Sequence, residues 1–227
     1  IEKYNMYFPS LCVDNFYNNP DVIREFALSL EFKATTAVPW PGKRSPSLDS
    51  VNPVFFKNFC DKLFSLTFDF KKTSSVKWAV ETYFQIVEPD QYSSINQGWI
   101  HADYRPYAGV IYLTPGIDTN CGTSLFRPKN PFDVPINLEE KQDMFLNFDR
   151  SKTNFYNEKL EKNNSLFEET VNFKNIYNRI IAYDGSQYHG VNKFIGHDNR
   201  PRLTQVFFIQ EVSSDYFPIP ASRQILL

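Results

Sequence analysis

The stretch Val76-Lys77-Trp78-Ala79-Val80-Glu81-Thr82-Tyr83-Phe84-Gln85-Ile86-Val87 decides the fold class. It is rich in β-branched and aromatic residues, and it is too long and too regular to be a loop. The same character returns downstream at Gly98 to Asp103, Ala108 to Thr114, Ser124 to Arg127, Arg179 to Tyr183 and Leu203 to Val212. Pro, Gly and Asp turns separate these segments. The spacing predicts many short strands, hence a mainly β protein with supporting helices, built as a β-sandwich or jelly roll.

Working outward, residues before Val76 read as helical support. Asn19-Pro20-Asp21 is a helix start, with Asn at the cap and Pro at the first helical position. Val22, Ile23, Phe26, Ala27 and Leu30 then recur on one helical face. A Pro-punctuated loop spans Val38 to Pro46, and a second helix runs from Pro53 to about Phe64. Between the later strands, about 138–175 reads as a helical insertion, with one helix suggested by Leu138, Met144, Phe145 and Phe148 and another over Phe155 to Phe167. The expected organisation is one domain over 1–227, with N-terminal helical support at about 1–75 and a β core at about 76–212.

The 227 residues carry 24 basic and 26 acidic side chains, a net charge of −2. That balance argues against a nucleic-acid binder, which tracks phosphates with a basic excess. Aromatic residues make up 17% of the chain, enough to build a sizeable core and to exclude disorder. Three widely spaced cysteines (Cys12, Cys60 and Cys121) form no CxxC pair and read as reduced thiols of a cytoplasmic protein. No apolar run approaches the roughly 20 residues of a membrane span. The start, Ile1-Glu2-Lys3-Tyr4, lacks a basic-then-apolar signal pattern.

Chemistry concentrates around the histidines, of which there are three. In His101-Ala102-Asp103, residues i and i+2 of a strand project to one face, so imidazole and carboxylate can share a metal ion. His189 follows the strand Arg179 to Tyr183. Two histidines and one carboxylate make the facial triad of non-haem Fe(II) oxygenases, which leaves three positions open for a chelating cosubstrate and O2. A lone His-x-Asp is common by chance. Its setting gives it weight, since His-x-Asp opens the β-rich region and His189 lies near its end.

Arg202 and Thr204 share one face of the last strand, among Leu203, Val206, Phe207, Phe208 and Ile209. A guanidinium and a hydroxyl pointing inward there need a partner, and a carboxylate ligand supplies one. Tyr112 is placed to add a third hydrogen bond. The competing readings are an inter-strand salt bridge for Arg202 and an ordinary core aromatic for Tyr112. His197, in Gly196-His197-Asp198-Asn199, and Asp184 read as turn residues. Arg44 sits in the Pro-rich loop, either as a solvated charge or as a substrate contact over a pocket mouth. Trp99, two positions before His101, packs near the site.

Taken together, His101-Ala102-Asp103, Gly109-Val110-Ile111-Tyr112-Leu113, Cys121-Gly122-Thr123-Ser124-Leu125-Phe126, Tyr188-His189-Gly190-Val191 and Arg200-Pro201-Arg202-Leu203-Thr204 resemble the 2-oxoglutarate- and Fe(II)-dependent oxygenase superfamily, on its prolyl-hydroxylase-like side. The N-terminal pieces Val13-Asp14-Asn15-Phe16 and Pro41-Gly42-Lys43-Arg44 resemble an uncharacterised branch of it. This resemblance implies a double-stranded β-helix (jelly-roll) core. It implies His101, Asp103 and His189 as catalytic Fe(II) ligands, and Arg202, assisted by Thr204 and Tyr112, as the binding site for the far carboxylate of 2-oxoglutarate. Arg200 is the rival anchor; Arg202 is preferred because Thr204 partners it and Pro201 ends the turn that holds Arg200. The implied activity is hydroxylation of an unidentified small-molecule or peptide substrate, consuming O2 and releasing succinate and CO2. The alternatives are a jelly-roll binding module and a cupin-like metalloprotein that does not use 2-oxoglutarate.

Overall fold

The computed structural model describes residues 8–34, 41–71, 75–89, 95–103, 105–130, 132, 138–146 and 149–215. Residues 38–40 of the expected Pro-rich loop and Phe148 of the expected insertion helix lie outside them. The elements run β1 (Leu11–Val13), α1 (Pro20–Leu28), β2 (Lys43–Arg44), α2 (Leu48–Val51), α3 (Pro53–Ser65), β3 (Val76–Val87), β4 (Tyr107–Tyr112), β5 (Thr123–Pro128), α4 (Leu138–Leu146), α5 (Thr153–Asn164), β6 (Phe167–Phe173), β7 (Ile180–Tyr183), β8 (Tyr188–Val191) and β9 (Arg202–Ser214).

The strands form two antiparallel sheets. One has six strands in the order β1-β7-β4-β9-β3-β2, and the other has three in the order β6-β5-β8. Period-2 alternation gives the large sheet two distinct faces. On one face Leu203, Phe207 and Ile209 of β9, with Phe84 and Ile86 of β3, join the helices in the largest core. On the other face Ala108, Val110 and Tyr112 of β4 meet Leu125 and Phe173 of the small sheet. The mainly antiparallel, helix-supported architecture agrees with the sequence.

The helices form where their ends are satisfied. At α3, Pro53 occupies the first turn and the Asn52 side chain accepts a hydrogen bond from the Phe55 N–H at 3.0 Å. Phe59, Leu63 and Phe64 then fall on one face, and Phe59 meets Phe207 of β9 edge to face at 5.6 Å. Each such buried side chain contributes about 1.5–3 kcal/mol. α1 starts at Pro20 as expected, but the Asn19 side chain makes no capping bond. Val22, expected on the buried face, is 60% exposed, whereas Ile23 and Phe26 pack on the core.

Three further differences concern the site. Residues 98–103 form no strand; only His101 makes an isolated bridge, to His189. The helix expected to reach Phe167 ends at Asn164, and Phe167–Phe173 is a strand, so the insertion is not wholly helical. Arg44 lies in a short strand paired with β3 rather than in a loop. Its neighbour Gly42 has φ +81, and a Cβ there would strike the Ile86 carbonyl, so glycine alone lets this chain approach β3 so closely.

Candidate metal centre and its cavity

His101 and Asp103 reach the site through an unusual support. The Gly98–His101 backbone pairs with β8 on one side: Gly98 N–H donates to Val191 O at 2.8 Å, His101 N–H to His189 O at 3.0 Å, and His189 N–H to His101 O at 2.8 Å. On the other side, where a further strand would lie, two side chains from the end of α5 take its place. Asn164 accepts from Ile100 N–H and donates to Gly98 O, both at 3.1 Å, and Asn163 donates to Ile100 O at 3.1 Å. The amides thus satisfy backbone groups that would otherwise be buried without partners. Asp103 N–H is held by Gly185 O at 2.8 Å, in the turn between β7 and β8.

These supports bring His101, Asp103 and His189 together, with one ligand atom from each lying within 4.8 Å of the others. His101 Nε2 is 3.5 Å from Asp103 Oδ1, and His189 Nε2 is 3.4 Å from Asp103 Oδ2. Both Nδ1 atoms face carbonyls, Trp99 O at 2.8 Å and Gln187 O at 2.9 Å. A carbonyl only accepts, so each Nδ1 carries the proton and turns Nε2 towards the carboxylate. Burial, reinforced by the nearby Lys141 and His189, pushes His101 down to about 4, so its imidazole is neutral at pH 7. Burial works against the Asp103 carboxylate, but His189 and His101 outweigh it and hold its pKa well below the usual range. At His101, therefore, one acceptor faces another across 3.5 Å. A cation between them resolves that conflict, and two imidazoles with a carboxylate are a suitable donor set for iron.

The triad opens on a cavity of about 470 Å³, within the roughly 300–1,000 Å³ of ligand pockets. Arg202, 3% exposed, lines it. Its Nε donates to Cys121 O at 3.0 Å and its guanidinium lies 5.6 Å from the Tyr112 ring centre. Burial lowers its pKa, while Tyr112, Cys121 and Tyr183 beside it favour the charged form. No carboxylate among the described residues pairs with it.

Arg200 is exposed and committed elsewhere, to Asp198 at 2.6 Å and to the Pro115 and Gly116 carbonyls. Thr204 and Tyr112 are buried but do not line the cavity. The Thr204 hydroxyl points to Gln85 O at 3.4 Å, and the Tyr112 hydroxyl donates to Thr123 at 3.1 Å. Thr123 does line it, as do Trp99 and Arg44. Arg44 Nε donates to Gln85 Oε1 at 2.8 Å, and its guanidinium lies 5.4 Å from the Tyr83 and Phe208 ring centres. His197 is exposed beside Asp118, and Asp184 accepts from Ser186 in a turn, as read from the sequence.

Several lining residues carry no motif. The Tyr183 ring lies tilted at 44° with its centre 4.7 Å from that of His189, and Lys141 and Phe145, one turn apart on α4, form a further wall. The i, i+4 spacing shows that they share a helix face, but nothing local reveals that this face meets the triad. Among the described residues no helix is long and apolar enough to cross a membrane.

Known structures share this fold. HygX from Streptomyces hygroscopicus, solved with nickel, 2-oxoglutarate and hygromycin B bound, is 12% identical, with a TM-score of 0.56 over 92% of this chain and 84% of its own. AviO1 from Streptomyces viridochromogenes Tue57 is 11% identical, with a TM-score of 0.52 over 96% of both chains. A prolyl hydroxylase from Trichoplax adhaerens, in complex with a hypoxia inducible factor peptide fragment, is 11% identical, with a TM-score of 0.51 over 88% and 83%. At these identities the likeness is one of fold, and that fold is the one found in 2-oxoglutarate/Fe oxygenases, as the motifs implied. No curated protein matches the sequence. One family model does, over residues 5–204, and the chain accordingly belongs to the family of unknown function DUF6445.

Proposed function

We propose that the protein is an Fe(II)- and 2-oxoglutarate-dependent oxygenase of the hydroxylase type. In this reading residues 1–227 are one domain, with support at about 1–75 and a double-stranded β-helix core at about 76–212. The observation that carries the reading is the convergence of His101, Asp103 and His189, with an acceptor facing an acceptor, beside a buried Arg202 that lacks a carboxylate partner.

His101 and His189 would offer Nε2 and Asp103 a carboxylate oxygen, with the Trp99 and Gln187 carbonyls fixing the ring orientations. The bound iron and 2-oxoglutarate would supply the oxidative chemistry, in which O2 places one oxygen atom in the substrate C–H bond and the other in succinate as CO2 is released. Arg202 would bind the far carboxylate of the cosubstrate, held in place by the Cys121 carbonyl and the Tyr112 ring. Thr204 and Tyr112 would act as supports for the Arg202 pocket, since neither lines the cavity. Trp99, Phe145 and Phe208 would keep water from the reacting centre. A cytoplasmic location fits the three free thiols.

The test is an anaerobic titration of the metal-free protein with Fe(II) and 2-oxoglutarate, following the visible charge-transfer band. We expect a band that is lost in His189→Ala, and one that needs far more 2-oxoglutarate in Arg202→Met. Iron binding without a band would favour the cupin-like or binding-module alternative. Absence of iron binding would refute the triad.

A further inference from the structure

The cavity wall holds one polar group that the proposed function leaves unused. Three hydroxyls line the cavity among the described residues, those of Tyr83, Thr123 and Tyr183. Tyr83 is hydrogen-bonded to Ser47, and Thr123 accepts from Tyr112 at 3.1 Å. Tyr183 is 5% exposed, yet its hydroxyl makes no hydrogen bond with any described residue. A buried hydroxyl without a partner is costly. The fully occluded side-chain atoms without a partner, among the described residues, are Arg24 Nε, Asn175 Oδ1 and Asp198 Oδ1. The Tyr183 oxygen is not one of them, so it meets open space, and the space beside Tyr183 is the cavity.

Sheet register brings Tyr183 there. Period-2 alternation in β7 turns Ile181 and Tyr183 in between the two sheets, and Ile180 and Ala182 towards the helices. The Cα partner of Tyr183 on β4 is Ala108, whose small side chain leaves room for the ring. The ring centre lies 4.7 Å from that of His189. Asp103 and Arg202 are both near enough for their charges to act on the phenol. A phenol, with an ordinary pKa of about 10, is protonated at neutral pH. Burial, and after it Asp103, favour that form further, and Arg202 offsets them only in part. The group is a donor without an acceptor.

Asp103 is not the acceptor: its two oxygens face Nε2 of His101 and of His189, and the phenol bonds neither. In the proposed function Asp103 and Arg202 mark the two ends of 2-oxoglutarate, the first through the metal and the second directly. A group that feels both charges lies alongside the cosubstrate. Depth points the same way. Tyr183, Thr123 and Arg202 are buried, whereas Glu81 and Arg105 are exposed where the cavity opens to solvent, the way in for the primary substrate. A carboxylate offers about four lone-pair sites, and Arg202, with Nε committed to the Cys121 carbonyl, cannot fill them all.

We infer that Tyr183 is a cosubstrate-binding residue, whose phenol donates a hydrogen bond to a carboxylate oxygen of 2-oxoglutarate. The inference rests on the oxygenase reading. It moves the hydroxyl contact expected of Tyr112 and Thr204 to a residue of β7 that belongs to no motif.

The experiment uses the full chain, held anaerobically with saturating Fe(II), and titrates 2-oxoglutarate while following the visible charge-transfer band. Tyr183→Phe keeps the ring and removes only the hydroxyl. The lost bond is to a charged group, so the variant should need about tenfold more 2-oxoglutarate, or beyond, for half of the band. Its iron affinity should stay within about twofold of the parent's. A second measurement needs no variant: 2-oxoglutarate should shift the near-ultraviolet tyrosine absorption of the parent to longer wavelength, as a phenol does when it begins to donate. Absence of that shift would overturn the contact even if Tyr183→Phe failed to fold. A parent without a charge-transfer band would overturn the functional reading, and the contact with it. A normal parent band with an unchanged 2-oxoglutarate requirement in Tyr183→Phe would overturn the contact alone. So would an iron affinity weakened as much as the 2-oxoglutarate affinity, since Tyr183 would then be a packing support for His189.

Discussion

Replacing Asn164 with alanine removes the amide that stands in for a strand beside Gly98–His101. Two bonds to the backbone go at once, the one accepted from Ile100 N–H and the one donated to Gly98 O, both at 3.1 Å, together with the one accepted from the Asn163 side chain at 3.0 Å. Ile100 is 4% exposed and Gly98 is buried, so a donor and an acceptor are left without partners away from solvent. Each such group costs about 1–3 kcal/mol, and a water entering the vacated space recovers part of that. The expected loss of stability is therefore about 2–4 kcal/mol. It does not arise from the helix, because Asn164 is the last residue of α5 and alanine is the better helix former. The unsupported segment carries His101 and Asp103, so in the proposed centre the same loss appears as metal affinity weakened by about 30-fold or more. Urea unfolding gives the first quantity, and competition against a chromophoric chelator gives the second. Glu158→Ala, on the exposed side of α5, is the control and should stay within about 0.5 kcal/mol. Stability lowered by less than about 0.5 kcal/mol, together with unchanged metal affinity, would refute the view that the asparagines hold the ligand segment.

Other consequences follow from burial and packing. Gly109→Ala drives a Cβ into the Ile181 carbonyl and the Phe207 ring, inside the central strands, and should destabilise the protein by about 1–3 kcal/mol or more in the same urea assay. Burial pushes the Cys60 thiol up to about 12 and Cys121 to about 11, whereas Cys12 is exposed. A thiol reagent at pH 8 should therefore modify one cysteine per native chain, and three after denaturation. For the metal-free protein, His101 titrates near 4 when folded against 6.5 in the unfolded chain. The unfolded state takes up that proton first, so the contribution of His101 to stability is complete above about 6.5 and is lost as pH falls towards 4. A urea midpoint that is flat between pH 7 and pH 4.5 would contradict this assignment.

The sequence was most legible where chemistry or alternation is local. β3, β4 and β9 are readable because β-branched and aromatic residues concentrate there between Pro, Gly and Asp turns, and α3 because Pro53 marks its start. His101, Asp103 and His189 could be singled out because few residue types bind metal and this chain has few histidines to choose from. The strand expected at 98–103 failed for a physical reason. Its residues have strand composition, but half of its hydrogen-bonding partners are side chains of α5, and no window around Ile100 contains Asn163 or Asn164. The strand Phe167–Phe173 was masked by its polar interior, Glu168 to Asn172, which is exposed at a sheet edge and therefore lacks the apolar alternation of a half-buried strand.

By itself, then, the order of residues determined the mainly antiparallel class, the helical support, and the short list of side chains able to ligate a metal or bind a carboxylate. These depend on covalent identity and on periods of two or 3.6 residues. Tertiary structure placed Arg202, the anchor already preferred over Arg200 from the sequence, in the cavity wall, and it alone decided that Thr204 and Tyr112 do not line that cavity. It also decided that Arg44 and Lys141, 97 positions apart by their numbers, line one cavity. Which charges share a cavity is a property of how distant segments pack, and no local pattern encodes it.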